Sequence, residues 1–464
     1  MLKKLFSHTA IYGLAPQIPK IAGVLALPII TKFLTDIDFG IYGVITAVVG
    51  SVSVLGSLGL NLILSNAFFH SPGHYKWGWR QIYGFLILWN IPYAVLISGL
   101  LYFFIPDEAI KNAIWIIMLN VLPIVFFGPT SILGTYYYQL NQLPMQIGIR
   151  SAIFGTISVG LNILFIAGMK MGYMGWFLSA CIATMLSQLS YWWPLNRKLG
   201  MTPIFNFKWR YIKNSLKVSL PIVPHYYSGY LLDSSDQMVM KLMNVGTGNI
   251  GLYNVANRIA MLVKQLGIAA GQAVGPMMYA GYKNNDQETP RRLVFSLQIV
   301  FLCMTFVLSI WLKEAFHILI QNESLAKIYP LGIIMVMAYN YRPMYYGANN
   351  RLFYNEKTKV LLKITFAAGV LNVILNVILI KLIGFEAAAY TTFACLMYMG
   401  YAGYYLKEFK EVNDLSYYPM FWLGLTIGLT IAAYYAVEAN LWQKTILTVL
   451  TIIIGFLGFK KISS

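Results

Sequence analysis

The chain has 464 residues, of which 58% are hydrophobic and only 11% are charged, with a mean hydropathy of +0.63. A soluble domain is typically about 25% charged, so this composition excludes an ordinary soluble protein and indicates an integral membrane protein. The net charge of +18 would favour a nucleic-acid partner in a soluble protein. Here the basic residues cluster in short loops between apolar segments, so we exclude nucleic acid and expect membrane lipids as neighbours.

Apolar segments of about 20 residues recur from end to end, and they predict an all-α integral membrane fold with about fourteen transmembrane helices. The first segment follows the N-terminus without a short apolar core and a cleavage site, so we expect a retained helix. The predicted spans are 9–31, 39–65, 81–105, 113–136, 150–168, 173–195, 217–240, 250–278, 293–312, 328–347, 360–380, 387–406, 418–436 and 444–459.

The distribution of Lys and Arg predicts the orientation of these spans. With the N-terminus inside, 22 basic residues lie on the inner side and 8 on the outer side, and four lie within spans. Such a bias is typical of cytoplasmic loops, so both termini are predicted to be cytoplasmic.

The most basic inner loop, near residue 200, divides the chain into two similar halves. Pro16-Gln-Ile-Pro19-Lys20 is matched by Pro221-Ile-Val-Pro224-His225, and Gly40-Ile-Tyr42 is matched by Gly251-Leu-Tyr253. We therefore predict two pseudo-symmetric lobes of six helices each, a repeat arrangement known in secondary transporters. The predicted domains are 1–200, 201–412 and a pair of additional spans in 413–464.

The first span carries Lys20 about twelve residues from its start, beyond easy reach of either membrane surface. One interpretation is a buried ion pair, and the other is a cation that faces a cavity and meets an anionic cargo. Gln17 lies one turn earlier and is predicted to line the same cavity. Prolines in this span and in the seventh are expected to interrupt or kink the helices.

The seventh span carries His225, Asp233 and Asp236. Because the two aspartates are three residues apart, we expect them on one helical face. They either pair with basic residues to hold helices together or bind H+ or Na+ as a coupling ion. His225 is either a titrating group or a polar residue between helices.

The eighth span carries a polar stripe at helical spacing, formed by Asn254, Arg258, Gln265 and Gln272, with Lys264 beside it. A stripe of this length predicts an interior face rather than lipid contact. The guanidinium of Arg258 suits phosphate oxygens, and Arg342 in the tenth span is a further candidate, although it could instead extend to the inner interface.

The charged residues inside spans therefore comprise four cations and two anions, and their net positive charge predicts an anionic cargo in a cavity between helices. Asn372 and Asn376 lie four residues apart in the eleventh span and are expected to form hydrogen bonds between helices. Cys181, Cys303 and Cys395 lie in apolar segments and are interpreted as small hydrophobic residues, so we expect no disulfide and no metal site.

Motifs for phosphate-binding loops, zinc proteases and α/β-hydrolases do not occur in the sequence. Asp36-Ile-Asp38 is the one pattern that suggests an enzyme, a membrane glycosyltransferase with a metal-binding acidic pair. The alternative is an acidic outer loop, and we predict that the chain is not an enzyme and needs no cofactor.

Several stretches together resemble one family. These are Leu34 to Gly43, Ser219 to His225, Asp233 to Asp236, Leu371 to Ile380 and Gly384 to Thr392. They resemble the bacterial polysaccharide flippases of the O-antigen type, in the superfamily that also contains multidrug and toxin extrusion (MATE) transporters and lipid II flippases. The family often has Gly-Ala-Ala where this chain has Glu386-Ala387-Ala388, which is a small departure.

The resemblance implies a MATE-like fold around a cationic cavity, in the bacterial cytoplasmic (inner) membrane. It implies translocation of an undecaprenyl-pyrophosphate-linked oligosaccharide from the cytoplasmic to the outer leaflet by alternating access, with other polysaccharide assembly proteins as partners. Lys20, Arg258, Lys264 and Arg342 would then contact the pyrophosphate or acidic sugars. A multidrug or cation exporter, a lipid II flippase and a membrane glycosyltransferase stay open as alternatives.

Overall fold

The structure is a computed structural model that describes residues 17–463. The side chains of a few residues within this range are not described: Gln17, Ile222, His225, Tyr226, Ser228, Asp233, Thr358, Lys359 and Ser463. The described chain is mainly helical and contains no strand between residues 17 and 463. The predicted all-α membrane fold is therefore confirmed.

Contacts divide the chain into two compact units, Met1–Tyr230 and Leu231–Ser464. The division falls inside one helix, and the predicted domain limits near residues 200 and 412 stay predictions. Helices of at least eight residues are numbered here in chain order. Those that begin in the first unit are α1 (Gln17–Ile30), α2 (Asp36–Val52), α3 (Asn61–His70), α4 (Tyr75–Phe104), α5 (Ala113–Leu140), α6 (Pro144–Asn162), α7 (Tyr173–Trp193), α8 (Trp209–Ser219) and α9 (Val223–Asp233).

The second unit contains ten helices of this length within its described residues. Two pairs, α10 with α11 and α16 with α17, supply most of the site described below. The ranges are α10 (Ser235–Leu242), α11 (Thr247–Lys283), α12 (Glu288–Ile310), α13 (Leu312–Leu319), α14 (Tyr329–Ala338), α15 (Tyr341–Tyr354), α16 (Thr358–Ile383), α17 (Ala387–Tyr401), α18 (Pro419–Ala436) and α19 (Leu441–Ser463).

Within residues 17–463, eight helical segments are long and apolar enough to cross a membrane by length and composition. The chain is therefore a multi-pass membrane protein. The count of fourteen spans stays a prediction, because some predicted spans are divided into shorter helices that do not reach the length of a single crossing helix.

The seventh and tenth predicted spans show this division. A short 3-10 turn at Leu220–Ile222 follows α8, where Pro221 lacks a backbone N–H. A second break lies at Ser234, which separates α9 from α10. The tenth span is divided between α14 and α15. The interruption of the seventh span by proline is confirmed, whereas α1 continues through Pro28 as one helix.

A buried aromatic and aliphatic cluster forms part of the core of the first unit. Trp79 and Tyr83 on α4 pack with Leu64 of α3, Leu133 of α5 and Ile212 of α8. The Trp79 indole is fully buried and donates a hydrogen bond to the Leu64 carbonyl at 3.0 Å. Burial of this ring removes a large apolar area from water and so stabilises the fold, and its one polar group, the indole N–H, is hydrogen-bonded.

The Asp36-Ile-Asp38 pattern begins α2 and has a structural role. Thr35 caps the helix, since its hydroxyl accepts from the Asp38 backbone N–H while Asp38 accepts from the Thr35 backbone N–H at 2.8 Å. The other Asp38 oxygen accepts the Tyr173 backbone N–H at 2.9 Å. Gly172 has φ +54°, and an added Cβ there would lie 2.9 Å from the same oxygen. Both oxygens of Asp38 therefore have structural roles.

Candidate functional site

A buried carboxylate lies at the start of α10 in the second unit. Asp236 is 2% exposed and occupies the first turn of this helix, just after the break at Ser234. The first turn of a helix presents free N–H groups and a partial positive charge, which favour an acidic side chain. The break in the seventh span thus creates a helix N-terminus inside the unit, where an aspartate can be buried.

Three side chains from three other helices donate hydrogen bonds to Asp236. Asn376 of α16 donates to Oδ1 at 2.7 Å, and Thr392 of α17 donates to Oδ2 at 2.9 Å. The hydroxyl of Tyr253, on α11, also donates to Oδ2. Tyr253 and Asn376 are fully or almost fully buried. The carboxylate therefore joins four helices of one unit.

A second layer of polar groups holds these donors in place. Asn376 donates to Asn372 Oδ1 at 3.1 Å, and Asn372 donates to the Thr392 hydroxyl at 3.1 Å. Thr391 donates to the amide oxygen of Asn376. The predicted hydrogen bonding of Asn372 and Asn376 between helices is confirmed. We call this set, with Asp236 and Tyr253, the aspartate network.

The aspartate network brings a charge and a dense set of oxygen atoms into an apolar interior. A buried carboxylate is costly unless hydrogen bonds replace its hydration, and charge-assisted bonds of this kind are about twice as strong as neutral ones. Carboxylate, hydroxyl and amide oxygens are also the ligands that hard cations prefer. The network can therefore hold the helices together, and its chemistry suits a proton or a small hard cation.

The predicted polar stripe lies on one long helix. α11 extends over Thr247–Lys283, longer than predicted, so the stripe is continuous. Asn254 is buried, and Arg258 Nε donates to Asn254 Oδ1 at 3.4 Å, one helical turn away. Arg258, Lys264 and Gln265 are partly buried, and Gln272 is exposed.

Arg342 packs against this same helix from α15. Its side chain is 9% exposed, donates to the Tyr346 hydroxyl at 3.2 Å, and lies 5.4 Å from the centre of the Tyr341 ring. The Tyr346 hydroxyl in turn donates to the Gly267 carbonyl at 2.9 Å. Gly267 allows this approach, because a Cβ there would overlap Arg342 Cδ. Arg342 is therefore packed between helices and does not extend to an interface.

Lys20 lies on α1 of the first unit and is partly buried. The side chains of Gln17, His225 and Asp233 lie outside the described part of the structure. Asp233 and Asp236 lie on separate helices, because α9 ends at Asp233 and α10 begins at Ser235. Their predicted position on one face stays a prediction. The proposed roles of these residues in cargo or ion binding stay predictions.

Sequence reasoning missed Tyr253 and Thr392 as partners of Asp236, and Thr391 as the donor to Asn376. The signal was present, since Asn372 and Asn376 face one side of α16 and the Thr391-Thr392 pair follows in the next helix. Adjacent antiparallel helices place such pairs at similar depth. In the described part of the chain, no group of three or more His, Cys, Asp or Glu side chains is arranged to hold a metal ion.

Solved transporter structures resemble this fold. Lipid II flippase MurJ, in an inward closed conformation, superposes with a TM-score of 0.70 at 13% identity, covering 98% of each chain. The Vibrio cholerae MATE transporter VcmN in the bent form has a TM-score of 0.53 at 14% identity, covering 88% of this chain and 98% of that one.

A third similar structure is a MOP superfamily transporter from Pyrococcus furiosus, described as having a binding pocket of reverse polarity that suggests a different function. It has a TM-score of 0.51 at 13% identity and covers 99% of this chain and 96% of that one. At these identities the likeness establishes the fold, which is that of MOP superfamily transporters.

Family membership follows from the sequence. No curated protein matches the chain. The profile of the family described as "Polysaccharide biosynthesis protein" matches residues 5–281, which include most of α11. This part of α11 carries Arg258 and Lys264, which we call the basic stripe. The chain belongs to this polysaccharide biosynthesis protein family.

Proposed function

We propose that the protein is a flippase that moves an undecaprenyl-pyrophosphate-linked oligosaccharide from the cytoplasmic to the outer leaflet of a bacterial inner membrane. The basic stripe of α11 carries this proposal, since Arg258 and Lys264 are partly buried within the eighth predicted span. Placing a charge there is costly, and an anionic cargo such as a diphosphate offsets the cost.

Alternating access is the mechanism that this fold supports. The diphosphate would be recognised by the basic stripe, the sugars by polar and aromatic side chains, and the lipid chain would stay in the bilayer. The glycosyltransferase alternative loses its basis, because both Asp38 oxygens are occupied in capping α2 and fixing the turn before α7.

Reconstituted vesicles test the cargo directly. The full chain is placed in vesicles with an undecaprenyl-pyrophosphate-linked oligosaccharide, and the fraction of sugar reached by a membrane-impermeant oxidant is followed with time. We expect protein-dependent movement of this substrate. Movement of lipid II alone, or of a cationic dye alone, would replace the proposal with a lipid II flippase or a cation exporter.

Ion coupling is the second part of the proposal, with H+ or Na+ acting at Asp236. Support comes from a buried carboxylate that accepts hydrogen bonds from neutral side chains on three other helices. In this scheme, binding of the ion changes the charge of the aspartate network and hence the packing of α10 against α16 and α17.

The coupling is measured as the flipping rate with an imposed pH or sodium gradient and after its collapse by an ionophore. Asp236→Asn keeps the side-chain shape and removes the charge, so it should abolish the response to the gradient. Asp414→Asn, in a loop of the same unit, should leave the response unchanged. A wild-type rate that is equal with and without both gradients would rule the coupling out.

A further inference from the structure

Two apolar grooves lie on the second unit, and none of their lining residues belongs to the basic stripe or the aspartate network. The first groove has a volume of about 540 Å³ and follows α16 from Lys363 to Ile374. The second has a volume of about 570 Å³ and lies between α17 and α18. Each volume falls in the range of pockets that hold one small ligand, which is about 300–1,000 Å³.

The two grooves share one wall. Tyr398 of α17 lines both of them and is 41% exposed, so its ring forms a ridge between two parallel channels. The remaining lining is almost entirely aliphatic and aromatic, as for Phe366 and Leu371 in the first groove and Met397 and Leu423 in the second.

Both grooves begin on the same side of the second unit. α16 and α17 are joined by a short turn and are antiparallel neighbours, so the start of α16, the end of α17 and the start of α18 lie on one side. The first groove extends about 16 Å along α16, at about 1.5 Å per residue. The second extends about 20 Å, from Phe393 along α17 and through the 3-10 turn Ala402–Tyr405, where the rise is about 2.0 Å per residue. These lengths match one leaflet, which is half of a hydrocarbon core of about 30 Å.

Positive charge lies at this shared interfacial end. Lys363 lines the mouth of the first groove and is exposed, and exposed Lys407 follows two residues after Tyr405 at the mouth of the second. The excess of Lys and Arg in the loops predicts that this side is cytoplasmic. A basic mouth above two hydrocarbon channels is complementary to an anionic head group that carries two chains.

We propose that the two grooves hold the two acyl chains of one anionic diacyl phospholipid, which straddles Tyr398 with its phosphate at Lys363. Two channels of leaflet length fit a two-chain lipid, whereas a single isoprenoid chain would occupy one of them. The bound lipid is distinct from the transported cargo and would stabilise α16 and α17, the helices that carry two of the donors to Asp236.

Native mass spectrometry of the full chain, stripped of lipid in detergent, tests the site. The probes are phosphatidylglycerol, phosphatidylcholine and undecaprenyl phosphate, added one at a time and in competition. We expect phosphatidylglycerol to be retained in preference to the other two. Lys363→Ala should weaken its retention about five-fold, the effect of one basic residue at an anionic lipid. Lys381→Ala is the matched control, an exposed lysine at the other end of α16, and should have no effect.

Two blocking variants test the two-chain geometry. Ala367→Trp fills the first groove and Ala394→Trp fills the second, both from exposed positions. Each alone should reduce phosphatidylglycerol retention, because one lipid needs both channels. Ala367→Leu and Ala394→Leu provide milder blocks if a tryptophan variant elutes as an aggregate.

The proposal is overturned if none of the three lipids is retained, or if Lys363→Ala behaves like Lys381→Ala. It is also overturned if undecaprenyl phosphate displaces phosphatidylglycerol and only one of the two blocks matters, since this outcome identifies a single-chain lipid. Because the measurement involves no transport, its result is independent of the proposed cargo.

Discussion

At the scale of single residues, the hydroxyl of Tyr253 is the donor to Asp236 that can be removed with the smallest change of shape. Tyr253→Phe should lower the free energy of unfolding by about 1–3 kcal/mol, because a buried carboxylate loses one hydrogen bond. Thermal unfolding in detergent, followed by tryptophan fluorescence, measures the effect. Tyr279→Phe is the control on the same helix, since this tyrosine is 39% exposed. Equal stability of the two variants would contradict a structural role for the bond.

The basic stripe allows a second prediction at this scale, which depends on transport and not on stability. Arg258→Ala should reduce surface polysaccharide about ten-fold or more, since a charge-assisted hydrogen bond is worth about 1.5–3 kcal/mol. Arg258→Lys should restore part of the activity, because it keeps the charge without the planar fork. Lys283→Ala, at the exposed end of α11, is the control at matched expression. Undiminished export by Arg258→Ala would remove Arg258 from the cargo site.

At the scale of helices, α19 is anchored by an ion pair between a buried lysine and a partly exposed glutamate. Lys444 is fully buried, and its Nζ lies 2.5 Å from Glu314 of α13. Glu314→Gln leaves the buried ammonium of Lys444 without its carboxylate. The substitution should lower the free energy of unfolding by about 3–5 kcal/mol. The neighbouring pair of Lys313 and Glu438 is exposed, so Glu438→Gln should cost less than about 1 kcal/mol. Chemical unfolding of both variants measures the two changes in the free energy of unfolding. Equal changes would contradict the prediction.

Glu438, in the turn before α19, also predicts a dependence on pH. Hydrogen bonds from Lys313 and then Tyr329 hold the pKa of Glu438 below its usual value. A lowered pKa in the folded state stabilises the fold above the unfolded-state pKa of about 4.3, and this contribution is lost as pH falls through the folded-state value. The melting temperatures of wild type and Glu438→Gln should therefore differ at pH 7 and converge near pH 3. A difference in melting temperature that does not change with pH would exclude a contribution from the titration of Glu438.

At the scale of the whole molecule, the orientation in the membrane is the testable property. The excess of basic residues in alternate loops predicts a cytoplasmic C-terminus. A fluorescent protein fused after Ser464 should therefore fluoresce, and alkaline phosphatase fused there should be inactive. Fusions at Gly384, between α16 and α17, serve as the outer control and should show the reverse. The opposite pattern would invert the assignment of leaflets for the flippase and for the lipid grooves.

Much of this architecture was predictable from the sequence, because long apolar runs dominate it. The helical class, the family and the continuous stripe of α11 follow from apolar length and from spacing. Most of α8, up to residue 216, was predicted as loop, since its buried residues are Ile212, Ser215 and Ser219 and its apolar signal is weak. The break at Ser234 was also missed, because no proline or glycine marks it. The spacing of Asn372 and Asn376 marks a polar face of α16, but which carboxylate this face meets depends on how four helices pack.

The length of α11 has a mechanical consequence. With 37 residues and a rise of about 1.5 Å each, the helix is about 55 Å long, whereas the hydrocarbon core of a bilayer measures about 30 Å. Even at the upper end of the usual tilt range, such a rod extends beyond the hydrocarbon core. A rotation of about 5° about one end displaces the other by about 5 Å. Small rearrangements near Tyr253, close to the start of this rod, are therefore magnified at Lys283, where an aqueous probe could detect them.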